Sequence, residues 1–150
     1  FRMSKALNDI EKVIGVGECF ELHVTGYSML PLLGAGDDHI IVRRIDAEEN
    51  IVGRIAMFRN STGGIIVHRV LCVHNDIVVL RGDGNLVQTE QCLRSEIIGV
   101  VDKVRRSDDK IVDCTTQKWI RRERRWLSTP RIIRRIVLAV MRRWLDFKLN

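Results

Sequence analysis

Apolar and polar residues alternate through much of the first hundred positions. Phe20, Leu22 and Val24 interleave with Glu21, His23 and Thr25, the pattern of a strand buried on one face. Comparable runs predict strands over His39–Ile45, Arg54–Arg59, Ile65–Val73, Ile77–Arg81 and Ile97–Arg105. Ser61-Thr62-Gly63-Gly64 and His74-Asn75-Asp76 separate them as hairpin turns. Ahead of the strands, Leu7, Ile10 and Ile14 recur at helical spacing behind Ser4 as N-cap, and Gly15 and Gly17 close that segment. A short helix is therefore expected from about Ser4 to Ile14. Short strands joined by glycine-rich turns, with no helices between them, imply an antiparallel, mainly-β body.

The period changes after about Asp113. Two helical segments are expected, separated by Pro130. In the second, Ile132, Ile133, Ile136, Val137, Val140, Met141, Trp144 and Leu145 make an apolar stripe, with Arg131, Arg135 and Arg142 on another side. A four-residue spacing drifts by about 40° per step, so this stripe spirals around its helix. The chain accordingly divides into a β domain with its N-terminal helix, 1–113, and a basic amphipathic helical extension, 114–150.

A chain of 150 residues with 45% hydrophobic and 29% charged residues can bury a core of its own, which excludes a disordered class. The net charge of +6 is unevenly placed. From Lys118 onward there are eleven Lys and Arg against only Glu123 and Asp146, so the remainder of the chain is net acidic. Basicity is a property of the extension, which could pack on the body, fill a partner's groove or lie on an anionic membrane surface. No helix-turn-helix pattern precedes the β region, and specific nucleic acid binding is not expected. No apolar run reaches the roughly 18 residues of a membrane-spanning helix. The first residues, where Phe1 and Arg2 precede Met3, lack the cationic and apolar pattern of a secretory leader. Cys19, Cys72, Cys92 and Cys114 form no CxxC pair, which favours a reducing cytoplasm. His68, Cys72 and His74 share a strand face but spread over about 20 Å, too far to converge on one metal ion.

Three segments carry chemistry. Gly26-Tyr27-Ser28-Met29-Leu30-Pro31 places a serine on a sharp turn after a strand, Val67-His68-Arg69-Val70 places a histidine within a strand, and Arg81-Gly82-Asp83-Gly84-Asn85 follows the next strand. A serine hydroxyl is a weak nucleophile and requires a base, which is ordinarily Lys or His. The lysines are Lys5, Lys12, Lys103, Lys110, Lys118 and Lys148, so none lies between Val13 and Asp102. His68 remains, with Asp83 as a carboxylate able to orient it.

GYSMLP, GRIAMF, VHRV and RGDGN, in that order, resemble the boxes of the signal peptidase family, within the superfamily that includes LexA-type self-cleaving repressors. The similarity is greatest to the serine–histidine branch and covers roughly Phe20 to Val104. The resemblance implies a LexA-like β fold, Ser28 as nucleophile, His68 as base and Asp83 as the third member. It also implies oxyanion or substrate contacts by Gly26, Tyr27, Met29, Pro31 and Arg69, hydrolysis of an extended peptide or protein segment bound as an added strand, and no cofactor. Two features depart from the pattern: no membrane anchor is visible, and Gly26 stands where many members carry a serine that assists the oxyanion. One missing donor costs about 3 kcal/mol in the barrier, consistent with a slow enzyme. A peptide- or partner-binding module on the same fold, and a self-cleaving regulatory domain, are the competing expectations.

Overall fold

Each strand is sorted by its alternation. A computed structural model of the chain describes residues 13–24, 26, 28–34 and 38–149; the helix expected from Ser4 lies outside these but for its last residues. Eight strands are present: β1 (Cys19–His23), β2 (His39–Arg43), β3 (Ile55–Arg59), β4 (Ile65–His74), β5 (Ile77–Arg81), β6 (Glu90–Leu93), β7 (Ile97–Arg105) and β8 (Ile111–Asp113). They form one sheet in the order β1-β2-β7-β3-β4-β5-β6, with β8 paired to β7. Every pairing is antiparallel. The mainly-β expectation holds. The two strands that periodicity did not reveal are β6, which is short and polar, and β8, which has three residues.

β3 lies between β4 and β7 and is buried on both faces. Ile55 and Met57 enter one core with Met29, Ile40, Val42 and Trp119, while Ala56 and Phe58 enter a second with Val70, Leu80 and Val100. The strict alternation slips at two bulges, where Ile98 is extra opposite Met57/Phe58 and Asp102 is extra opposite Ile41/Val42. Asp102 is retained there by Arg43 and Arg54, each at 2.8 Å.

The basic extension forms α1 (Gln117–Ser128) and α2 (Arg131–Leu149). The Thr116 hydroxyl caps α1 by accepting the Trp119 N–H. Trp119 inserts into the first core, and Trp126, Leu138 and Leu145 close a third around Leu30. Both helices therefore pack on the body, and they do so behind the segment that carries Ser28. Only part of the apolar stripe is used. Val137, Met141 and Leu145 face this core, whereas Ile132, Ile133, Ile136, Val140 and Trp144 are exposed.

Candidate active site

The serine turn is anchored by its neighbours. Met29 and Leu30 are buried, Met29 in the first core and Leu30 beneath α1 and α2, which leaves Ser28 exposed between the turn and solvent. The Gly84 N–H donates to the Ser28 carbonyl at 2.7 Å, and the Asp83 N–H donates to the Met29 sulfur at 3.4 Å. The RGDGN segment is thus the floor on which the serine turn rests.

His68 is held rigidly within β4, opposite Ala56 of β3. On the other side, the Arg69↔Arg81 pairing brings the chain next to His68 level with Gly82. A β-carbon at Gly82 would lie 2.3 Å from the Ser28 carbonyl oxygen and 3.1 Å from His68 Nε2. The serine segment and the histidine's Nε2 therefore converge on the space of one absent methyl group, and glycine is what allows the approach.

Ser28 and His68 both line a cavity of about 340 Å³. Its walls are mainly apolar, with Leu22, Val24, Ile40, Met57 and Val67, and Glu90 stands at its polar side. His68 is 6% exposed, and its Nδ1 is buried without a hydrogen-bond partner. Glu90 Oε1 is 3.9 Å from that nitrogen. Burial pushes the imidazole pKa below 6.5; the Glu90 and Asp83 carboxylates oppose this and do not cancel it. The ring is therefore neutral near pH 7, the state a general base requires.

Two expected site residues are placed elsewhere. Asp83 was expected to orient His68, but both its carboxylate oxygens accept from Arg69, at 2.8 and 2.6 Å. Arg69, expected to touch substrate, is only 2% exposed; it also donates to the Gly53 carbonyl at 2.8 Å and lies 3.2 Å from Glu123 of α1. The reason is the pleat. Arg69 follows His68 directly and points to the opposite face, where the neighbouring Asp83 meets it. The same hub ties down both helices: Trp126 Nε1 donates to the Asp83 carbonyl and Arg142 to the Gly84 carbonyl, each at 3.1 Å.

Gly26 lines the cavity with φ +97°, and Met29 lines it as well. Pro31 follows a cis peptide bond and is half-buried beyond the cavity lining. Tyr27 lies outside the described residues. Glu90 escaped the sequence reading because a glutamate in the polar run Thr89-Glu90-Gln91 carries no motif. No family model matches the chain, and a search of curated proteins returns none similar to it.

Proposed function

We propose that the protein is a serine-type peptidase acting on an extended peptide or protein segment. The observation that carries this reading is the approach of the Ser28 backbone and His68 Nε2 across Gly82, at the edge of an apolar cavity. Ser28 Oγ attacks the scissile carbonyl as His68 Nε2 takes its proton. The new O–C bond replaces the C–N bond, and the proton passes to the departing amine. Water, deprotonated by the same imidazole, then releases the acyl group.

Substrate would enter as a strand. β5 pairs with β4 only from Arg69 onward, so among the described strands Ile65–His68 pair on one side alone. The end of β1 flanks the same cavity through Leu22 and Val24. Strand addition there places one side chain in the apolar cavity.

A fluorophosphonate probe tests the reading. Labelling at Ser28 that disappears in Ser28→Ala and falls sharply in His68→Leu supports it. Absence of labelling points to a binding module on the same fold, and a discrete break in purified chain that Ser28→Ala abolishes points to self-cleavage.

α2 supports a location for this activity. Ile132, Ile136, Val140, Trp144 and Phe147 are 72%, 60%, 62%, 55% and 84% exposed, and no helix among the described residues is long and apolar enough to cross a membrane. Exposed Arg131, Arg135, Arg143 and Lys148 border the same helix. A second copy on this face would bring like charges together, whereas an anionic lipid surface neutralises them while receiving Trp144 and Phe147. The reading is peripheral association with an anionic membrane. Co-sedimentation with vesicles containing phosphatidylglycerol, lost on replacing Ile136 and Trp144 by Ser, would support it; equal recovery with neutral vesicles or none would refute it.

A further inference from the structure

We propose that Glu90 is the positioning residue of His68, accepting the Nδ1–H hydrogen bond when the site is engaged and so leaving Nε2 bare towards Ser28. This rests on the serine–histidine reading and deepens it by replacing the expected acid.

The case begins with the unpartnered nitrogen. A neutral imidazole carries its proton on one ring nitrogen. If Nε2 is to accept from Ser28, the proton must reside on Nδ1, which becomes a donor. That donor is buried, and His68 Nδ1 is one of only two buried side-chain polar atoms without a partner among the described residues. An orphaned buried donor is costly and is seldom kept without a role.

Among the described residues, Glu90 is the carboxylate placed to answer it. Asp83 is committed to Arg69 through both oxygens, and moving it would strip a buried guanidinium of its main partner. Glu90 Oε1 lies 3.9 Å from Nδ1, about 1 Å beyond a hydrogen bond. The Glu90 side chain is 35% exposed, so a rotamer change can close that gap. Catalytic hydrogen bonds are often long in unliganded sites and shorten when substrate excludes water. The backbone beneath it is fixed, since Glu90 pairs with Leu80 of β5.

The electrostatics agree. Around His68 the charged and titratable groups are Glu90 on β6, Asp83 with its partners Arg69 and Glu123, and, across the cavity, the imidazole of His23 on β1. Of the two carboxylates that favour the imidazolium, Glu90 has the larger effect. As Nε2 gains the serine proton, the positive charge forms beside Glu90; the Nδ1 proton stays on the ring, and the serine proton goes on to the leaving amine.

The test uses the whole chain with Glu90→Gln and Glu90→Asp, measuring fluorophosphonate labelling of Ser28 against pH and the His68 ring titration by nitrogen-detected NMR. Glu90→Gln is expected to slow labelling about ten- to a hundredfold, at the low end for acid–base groups. It should also move the acid limb and the ring midpoint to lower pH, because burial is then less opposed. Glu90→Asp should retain part of the rate and of the midpoint. An unchanged ring midpoint in Glu90→Gln overturns the proposal, even if labelling falls, because a purely structural loss would leave the titration where it was. Wild-type protein that titrates but never labels would defeat the peptidase reading instead, and the ring midpoints would still decide whether Glu90 and His68 are coupled.

Discussion

His68 and Arg69 are consecutive on β4, and they meet opposite conditions. In front, His68 faces an apolar cavity with one nitrogen near the serine turn and the other unsatisfied. Behind, Arg69 is held by Asp83, the Gly53 carbonyl and Glu123, and binds the strands to α1. The next strand repeats the contrast: Gly82 is an opening for the site, while Asp83 is a strut. On the peptidase reading, polar residues within a motif divide between reaction and support according to which face of the pleat they occupy, the front incompletely and the back completely satisfied.

This contrast predicts very different responses to substitution. The largest effect belongs behind. Arg69→Met leaves the Asp83 carboxylate buried and unpaired, and urea denaturation should show a loss of about 3–5 kcal/mol. Replacing both residues, Arg69→Met with Asp83→Leu, should recover part of it, because the buried carboxylate at 83 is gone and only the partly exposed Glu123 has lost its cation. If the double variant were as unstable as the single one, the pair would be more than a strut.

Gly82→Ala is next, because it joins the two regions. Its methyl group would press on the Ser28 carbonyl and His68 Nε2, costing about 1–3 kcal/mol by overpacking. Fluorophosphonate labelling should fall by more than this stability loss accounts for. Unchanged labelling would mean that the serine and histidine do not work together.

In front, His68→Leu should cut labelling sharply yet change stability by no more than about 1 kcal/mol, since it removes an unsatisfied buried nitrogen. The smallest effect is on pH dependence. Burial holds the folded-state pKa of His68 below 6.5, so the unfolded chain takes up the proton first. The stability attached to the neutral ring is fully present above about pH 6.5 and is lost as pH falls through the folded-state value. Chemical denaturation from pH 7 to pH 4 should therefore show a flatter acid decline in His68→Leu than in wild type.

Much of the architecture was legible along the chain. Alternation located six of the strands to within a residue or two at most ends, and Pro130 correctly divided the two helices. β6 and β8 were not legible, because three or four residues hardly establish a period and β6 has few apolar positions. Ser28 and His68 were singled out by residue type, turn chemistry and the absence of lysine between Val13 and Asp102. Asp83 was assigned to His68 because both occur in adjoining motifs, but adjacency in a motif does not decide which face a side chain takes. The stripe on α2 shows the same limit. Its apolar residues were all visible, but not that Val137, Met141 and Leu145 would be packed while Ile132, Ile136 and Val140 stayed exposed.

By itself, then, the order of residues determined which segments are extended, where the chain turns, and that a serine and a histidine sit in neighbouring boxes. Those are local properties, set by side-chain period and backbone preference within a few residues. Only the tertiary structure decided that Arg69 claims Asp83 and that Glu90 comes nearest His68 Nδ1. Strand register joins residues distant in the chain, and a buried arginine draws the carboxylate that best offsets its desolvation.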